Sequence, residues 1–483
     1  MTFFFMIAGY GANTRSSELL YSTLACVGQT LTSLRINWPR IESSRVSLLR
    51  ILSLCQKLTS IKVTAWSIND CMISHKTLLS QIELHSTIAI QPLFQLLSLL
   101  IRCPHLRYLE VNGCDNNEEI LPILTKCCPE LITLITRKTA QQQLQQFYDD
   151  VHAVSKQQKR LLSSSSSIKV STDQQEQHQH QHQQRKLYYS GELQCLILHS
   201  INSVLPIQSR LEKSQNSLHT LSIAPMGGLE RDWIRLSTLS LPKLTYLHIK
   251  ISDVTTNDFL RSHLPSMLHQ YHALETLALE GAYLPSANTL TADQGRRYHD
   301  VIADGIFNAI AELPNLSSLQ LSHFDIRSRA FHNLLDRHNT QNHNSPSTRV
   351  LFSQSNHHHQ HNYNYHYPAP AHLLHELTFH HCIGVTFDIL KSISRISTLK
   401  KLSIYRPEKQ VTLLDIAQLI SFQLHQLTCL ELGLMQLNNE SATILANCKS
   451  LSTLLLYKVN GAGKSRVDQL LRPYIKDVKV QWR

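Results

Sequence analysis

A recurring aliphatic triplet constrains the fold of this chain more than any other feature of its sequence. Leu, Ile or Val recurs at the spacing L-x-x-L-x-L, and successive triplets in undisturbed stretches begin 21 to 30 residues apart. Such a repeat predicts a stack of similar units, each in contact with its neighbours, so the 483 residues need not divide into separate globular cores. Fifteen triplets follow or approach the spacing, and they begin at Leu31, Leu58, Leu79, Leu106, Leu131, Leu193, Leu218, Leu244, Leu274, Leu316, Leu374, Leu399, Leu427, Leu451 and Ile475.

Each triplet predicts a short strand followed by a helix. The second and third aliphatic residues alternate with a polar position, so one strand face is buried and the other points outward. Apolar residues three and four apart between triplets predict helices, as in Pro92–Leu100, Glu119–Leu124 and Ser441–Ala446. Units of about 20 to 29 residues with this pattern are leucine-rich repeats. We therefore predict an α/β leucine-rich-repeat solenoid, a horseshoe with parallel strands on its concave face and helices on its convex face.

Two low-complexity segments interrupt the ladder of triplets. The first runs from Gln141 to Tyr189 and contains a serine run and a Gln/His tract, and the second runs from His338 to Ala371. Such polar tracts bury too little apolar area to offset the entropy of ordering, so we predict disordered insertions at 141–190 and 338–372. Residues 1–30 then form an N-terminal capping segment. The repeat array occupies 31–140, 191–337 and 373–483, the last part with a C-terminal cap.

The cysteines follow the repeat. Cys55, Cys103, Cys128 and Cys448 each lie three residues before the first leucine of a triplet, and Cys114 and Cys382 lie eight residues after one. A small thiol packs well at such positions, and no C-x-x-C pair occurs. We predict reduced, buried cysteines in a cytoplasmic or nuclear protein, in preference to disulfides or a zinc site.

One segment resembles a known family closely. Cys103 to Cys114 and Cys128-Pro129-Glu130-Leu131 resemble the C-P-x-L-x-x-L-x-L-x-x-C units of cysteine-containing, ribonuclease-inhibitor-like repeats. These repeats are typical of F-box/leucine-rich-repeat proteins, including many from fungi. The resemblance covers residues 31–483 as architecture, and it implies substrate recognition for a Skp–cullin–F-box ubiquitin ligase. A Skp-type adaptor would be a partner if an F-box lies upstream, since the 30 residues before Leu31 contain no L-P-x-E-I-L-like opening.

Charge and hydropathy narrow the partner classes. Forty-six Lys and Arg against 35 Asp and Glu give a net charge of +11, but the basic residues are scattered. This distribution favours a solvated surface over a nucleic-acid footprint. A signal peptide requires positive charge before its apolar run, and the apolar run Phe3–Ala8 has none before it. The second apolar stretch, Ile88–Ile101, is too short and too polar to span a bilayer. We predict a soluble protein with no membrane partner and no specific nucleic-acid partner.

The predicted binding surface consists of residues that flank the middle strand leucines. Their charges have mixed signs, which favours protein recognition, and Tyr and Arg are the best-suited anchors. The alternative that stays open is that most of these residues are ordinary solvent-facing strand residues with no role in binding. The predicted partner-binding residues are Arg35, Asn37, Lys62, Glu83, His85, Tyr108, Glu110, Asn112, His199, His248, Lys250, Glu280, Gln320, His380, Tyr405, Glu431 and Tyr457, and Lys479 occupies the same kind of position.

Motifs that could indicate catalysis fail on spacing. His375 and His380 are five residues apart on a predicted strand, whereas a zinc metalloprotease motif needs a separation of four on a helix. Gly461–Ser465 resembles a phosphate-binding loop, but the required earlier glycine is Lys458. We predict no enzyme activity, no catalytic residue, no cofactor and no metal. Two functions stay open: a substrate receptor or adaptor, and a scaffold or regulator, for example of a GTPase.

Overall fold

The computed structural model describes most of the predicted array and little of the two predicted insertions. The described residues are 2–6, 14–37, 48–64, 77–85, 99–112, 124, 127–137, 192–201, 205–226, 230–250, 259–281, 303–338, 373–405, 407–408, 410–461 and 469–482. The predicted insertion 141–190, and 338–372 apart from His338, lie outside them, so the insertions remain predictions. The chain divides into two units, Met1–His199 and Ser200–Arg483.

Parallel strands in sequence order build the first unit. Each strand pairs with the next without a register shift, so residues at the same repeat position stand side by side, as Ile61, Ile82 and Leu109 do. The connections contain α1 (Thr14–Val27) and α2 (Leu48–Leu54). The strands are β1 (Thr2–Met6), β2 (Ser33–Asn37), β3 (Ser60–Thr64), β4 (Gln81–His85), β5 (Tyr108–Asn112), β6 (Thr133–Arg137) and β7 (Cys195–Ile201). β7 pairs with β6 over Cys195–Ile197, and its last two residues belong to the second unit.

The second unit repeats this arrangement. Its strands are β8 (Thr220–Met226), β9 (Tyr246–Lys250), β10 (Thr276–Glu280), β11 (Ser318–Ser322), β12 (Glu376–His380), β13 (Lys401–Tyr405), β14 (Cys429–Gly433), β15 (Gln436–Leu437), β16 (Thr453–Gly461) and β17 (Asp477–Trp482). Each strand from β8 to β14 pairs in parallel with the next, and β14 pairs with β16, which pairs with β17. The two-residue β15 also pairs with β16.

Helices follow most strands of the second unit. They are α3 (Leu205–Lys213), α4 (Glu230–Ser237), a π-helical turn (Phe259–His263) that leads into α5 (Leu264–Leu268), α6 (Arg329–Arg337), α7 (Phe387–Ser394), α8 (Leu413–Gln423) and α9 (Asn439–Ala446). Residues 303–311 are also helical, and α7 packs against α8, which packs against α9.

One of the three predicted helices can be compared with the structure. The prediction of a helix at Ser441–Ala446 is confirmed by α9, whereas most of Pro92–Leu100 and Glu119–Leu124 lies outside the described residues.

All fifteen predicted triplets coincide with strands, and their aliphatic residues form the core. Leu402 and Ile404 of β13, for example, are 2% and 0% exposed, because the second and fourth residues of each strand point inward. The structure adds two strands that carry no triplet, β1 and β15. β1 extends the ladder into the segment predicted as a cap.

The residue after the fifth strand position has a recurrent backbone conformation in the second unit. His323, His381, Leu434 and Lys458 all have φ between 50° and 62°, in the left-handed region. This conformation keeps the N–H in the ladder: His323 donates to the carbonyl of His380 at 2.8 Å, and His381 donates to the carbonyl of Tyr405 at 3.1 Å. The chain thereby turns away from the sheet without leaving a donor unsatisfied.

The cysteines predicted to be buried are buried where the structure describes them. Cys55, Cys103, Cys128, Cys382 and Cys448 are at most 8% exposed, and Cys114 lies outside the described residues. The Sγ of Cys103 donates to the carbonyl of Leu99 at 3.2 Å. None of the nine cysteines described in the structure forms a disulfide.

Candidate functional site

The candidate site is the outward face of the strands, which we call the strand face. It consists of the first, third and fifth residues of each five-residue register. All seventeen residues predicted to bind a partner occupy these positions: Tyr108 is a first residue, Arg35, Lys62, Glu83, Glu110, His248, Gln320 and Glu431 are third residues, and Asn37, His85, Asn112, His199, Lys250, Glu280, His380, Tyr405 and Tyr457 are fifth residues. The side chains of Asn37, His85, Asn112 and His199 lie outside the described part of the structure.

In the first unit, charge is segregated along the third positions. The exposed Arg35 is followed by Lys62 on the next strand, and then by Glu83 and Glu110, which are direct register neighbours. Lys62 and Glu83 form an ion pair, and the amide of Gln81 donates to Glu83 at 2.8 Å. The row therefore changes from basic to acidic between β3 and β4.

Tyr108 and Glu110 are linked on the same strand. The Tyr108 hydroxyl donates to the Glu110 carboxylate at 2.7 Å, and Glu110 is 8% exposed. Burial raises the pKa of Tyr108 above its usual range, and the hydrogen bond and negative charge of Glu110 raise it further. The phenol is therefore a hydrogen-bond donor at neutral pH.

In the second unit, every lysine of the strand face contacts a carboxylate. Lys250 Nζ lies 2.5 Å from Glu280 Oε1, Lys401 Nζ lies 3.2 Å from Glu431 Oε1, and Lys479 Nζ lies 3.5 Å from Asp477 Oδ2. The first two pairs join neighbouring strands and are about one-third exposed or less. Such pairs contribute little to stability, but they fix the positions of charges that a partner could contact.

Three rings on the fifth positions form what we call the aromatic row: His380, Tyr405 and Tyr457. The rings of His380 and Tyr405 are stacked with centroids 4.2 Å apart and planes 15° apart, and the centroids of Tyr405 and Tyr457 are 5.5 Å apart. Between the two tyrosines stands Gly433, where an added Cβ would lie 2.4 Å from Tyr405 Cδ1. The absence of a side chain at Gly433 is what lets Tyr405 reach Tyr457.

Burial lowers the pKa of three histidines in the second unit, namely His323, His380 and His248. His323 stacks on His381 with centroids 5.3 Å apart and planes 7° apart. Burial, followed by the nearby His381, lowers the pKa of His323 to about 4, and burial also lowers the pKa of His380 and of His248. His248 Nδ1 is hydrogen-bonded to Ser222 Oγ at 2.8 Å.

Sequence reasoning missed several of these groups. His323 and His381 lie after the strand rather than on it, and Gly433, Lys401 and Ser403 did not enter the predicted set. The Ser403 hydroxyl donates to Glu431 at 3.0 Å. A fuller use of the triplet register could have found Lys401, a first-position residue, but not the contacts it makes.

Within the described residues, no group of three or more His, Cys, Asp or Glu side chains is arranged to hold a metal ion. The same residues contain no helix with the length and apolar character needed to cross a bilayer.

The parallel ladder, its repeat length and its helical connections define an α/β leucine-rich-repeat solenoid. No family model matches the chain, and no curated protein matches it. Among solved structures, it is similar to a chain in the crystal structure of the TLR13-ssRNA13 complex, at 13% identity and a TM-score of 0.40. The match covers 94% of this chain and 49% of that chain, so this protein spans about half its length.

Proposed function

We propose that this protein recognises another protein through its strand face and is not an enzyme. The observation that carries the proposal is the aromatic row of the second unit. Two lysine–carboxylate pairs, Lys250–Glu280 and Lys401–Glu431, lie on the same strand face. Large aromatic side chains fixed by stacking lose little entropy on binding, and they are common anchors of protein interfaces. The flanking charged pairs would supply orientation and specificity.

Charge balance favours a protein over a nucleic acid at this surface. The chain as a whole carries a charge of +11, but the described strand-face positions of the second unit hold four carboxylates and three lysines. The low pKa values of His323 and His380 leave these imidazoles uncharged at neutral pH. A surface that tracks a phosphate backbone needs an excess of cations, which this face lacks.

A substrate-receptor or adaptor role is the finer form of the proposal. It is supported by the resemblance of the Cys103–Leu131 segment to the repeats of F-box/leucine-rich-repeat subunits, and by the burial of Cys103 and Cys128 in that register. In this role the strand face would hold a substrate, and a Skp-type adaptor would join through an F-box. The alternative is a scaffold or regulator, for example of a GTPase, without ubiquitination.

The test is affinity capture with matched variants, followed by mass spectrometry. Tyr405→Ala/Tyr457→Ala removes two rings from the strand face. Phe422→Ala/Tyr474→Ala removes two exposed rings outside it, at residues that are 76% and 68% exposed. We expect the first variant to lose partners that wild type and the second variant retain, with circular dichroism confirming that both fold. Equal retention by both variants would contradict the proposal.

The same captures separate the two roles. Co-purification of a Skp-type adaptor and a cullin with the full-length protein is expected for the ligase role. A strand-face partner captured without any ubiquitin machinery would instead assign the scaffold or regulator role.

A further inference from the structure

A small residue interrupts the fifth-position row of the second unit. Ser322 of β11 stands in register between Glu280 of β10 and His380 of β12. Adjacent strands are about 4.8 Å apart, so the backbones of Glu280 and His380 are about 9.6 Å apart. We call the space above Ser322, between these two side chains, the Ser322 notch. Two strand spacings leave room for one side-chain group of a partner between them.

The Ser322 notch differs from the other small position in this row. Over Gly433, the ring of Tyr405 occupies the space that a side chain would fill. His380 instead stacks on Tyr405 with centroids 4.2 Å apart, closer than the strand spacing, so its ring leans toward β13 and away from Ser322. The second face of the His380 ring is therefore directed toward the notch. Ser322, Glu280 and His380 are all partly exposed.

A carboxylate and a neutral ring flank the Ser322 notch. The Glu280 carboxylate raises the pKa of both His323 and His380 and the lysines on β9 and β13 lower them, but burial is the largest cause and holds both pKa values low. The neutral His380 imidazole presents an electron-rich ring face. Lys250 contacts Oε1 of Glu280 from β9, on the side away from the notch. A carboxylate has two oxygens and accepts several donors, so this ion pair leaves capacity for a second cation.

We propose that the Ser322 notch binds the guanidinium of an arginine side chain on a protein partner, stacked on His380 and hydrogen-bonded to Glu280. This inference rests on the proposed function and names the chemistry of one contact within it. A guanidinium is flat and carries its N–H donors along its edge, so one face can stack on a ring while the edge donates to a carboxylate. A lysine ammonium offers the same charge without the planar shape, so it binds more weakly.

The test uses the full-length chain labelled with 13C in its histidine rings. The ring signals of His323 and His380 are assigned by their loss in His323→Asn and His380→Gln. The probes are Nα-acetyl-arginine amide, Nα-acetyl-lysine amide, Nα-acetyl-norleucine amide and inorganic phosphate. We expect both ring signals to shift saturably with the arginine probe, less with the lysine probe, and not with the other two.

Two variants and two controls test the location. Ser322→Tyr fills the notch and is expected to abolish the saturable shift with the arginine probe. Glu280→Gln removes one partly exposed charged contact and is expected to weaken binding of this probe about threefold to fivefold. The controls Gln481→Tyr and Asp477→Asn likewise add a ring and remove a carboxylate, but on β17, and should leave the affinity unchanged. Equal effects of variants and controls, equal shifts with norleucine, or shifts only with phosphate would overturn the proposal.

The capture experiment keeps this inference separate from the proposed function. If Ser322→Tyr retains the partners that Tyr405→Ala/Tyr457→Ala loses, the strand face binds a protein without using the notch, and only this inference fails. If no strand-face variant alters capture, the proposed function fails, whatever the arginine probe shows.

Discussion

The contact between Gly433 and Tyr405 shows how a missing side chain shapes the strand face. Every other described fifth-position residue from β9 to β16 carries a side chain, and Tyr405 folds over the one that does not. Burial raises the pKa of Tyr405 above its usual range, and Glu431 and Tyr457 raise it further, so the phenol stays protonated where the rings meet. The absence of a Cβ at Gly433 therefore makes room for the Tyr405 ring in the aromatic row.

Replacing Gly433 with Ala tests this contact. The new Cβ would lie 2.4 Å from Tyr405 Cδ1, so the ring must move, and we expect a loss of about 1–3 kcal/mol of unfolding free energy. In a Tyr405→Ala background the same change should lower the free energy of unfolding by less than about 1 kcal/mol, because the ring that the new Cβ would contact is absent. Urea denaturation of the four proteins in this double-mutant cycle measures the coupling, and an equal cost in both backgrounds would contradict it.

Gly461 and Gly305 predict opposite effects of the same substitution. Gly461 has φ +115°, and an added Cβ would lie 2.1 Å from the Leu437 carbonyl oxygen, so Gly461→Ala should lower the free energy of unfolding by about 1–3 kcal/mol. Gly305 lies in the helical residues 303–311, and an added Cβ would lie 3.8 Å from its nearest neighbour, so Gly305→Ala should raise the free energy of unfolding by about 0.5–1 kcal/mol. Thermal denaturation of both variants checks the two signs, and a shared sign would count against the backbone assignment.

At the scale of elements, four helices of the second unit begin at similar caps. Ser328, Thr386, Thr412 and Asn438 each accept a hydrogen bond from the backbone N–H three residues later. At α8 the cap is reciprocal: Asp415 N–H donates to Thr412 Oγ1 at 3.2 Å, and Thr412 N–H donates to the Asp415 carboxylate at 2.8 Å. Each cap sets where a connection leaves the strand and begins its helix.

Removal of the α8 cap should be measurable in unfolding. Thr412→Ala leaves the Asp415 N–H without its side-chain acceptor, and is expected to cost about 1 kcal/mol. The control Ser421→Ala removes a hydroxyl inside the same helix, where Ala is the better helix former, and should be neutral within about 0.5 kcal/mol. Denaturant midpoints compare the two variants. If Ser421→Ala lowers the free energy of unfolding as much as Thr412→Ala does, the cap has no particular role in stabilising α8.

Across the whole molecule, the buried thiols link stability to alkaline pH. Burial raises the pKa of Cys55, Cys103 and Cys448 to about 11 and that of Cys382 to about 12, from an ordinary value of 9.0. The folded state thus holds these protons more tightly than the unfolded state. The stabilisation is complete below pH 9 and is lost as the pH rises from 9 through 11 to 12.

We therefore expect the unfolding free energy to fall steeply above pH 9. Buried Tyr271, whose pKa burial also raises, adds to the loss above pH 10. Cys448→Ala should make the decline shallower, because it removes one linked proton, whereas Cys26→Ala, at an exposed thiol, should leave the slope unchanged. Denaturation midpoints at pH 8, 9 and 10 give the slopes. A flat profile up to pH 10 would contradict the linkage.

The sequence by itself determined the repeat, the fifteen strands and the residues on each strand face. These features depend on local periodicity: alternation along the strand fixes which side chains point inward, and the spacing of triplets fixes the unit. The buried positions of Cys103 and Cys448 followed from the same register. β1 and β15 did not follow, because neither carries a triplet, and only pairing with β2 and β16 makes them strands.

Tertiary structure alone decided which outward side chains work together. Ser322 and His380 are 58 residues apart in the chain and become neighbours only through the β11–β12 register. The stacking of His323 on His381 and the placement of Tyr405 over Gly433 depend on ring orientation, which alternation along a strand does not encode. Periodicity specifies which face of a strand a side chain occupies. Contacts between side chains of neighbouring strands depend on register and on side-chain rotamers, and both are determined only when the repeats stack.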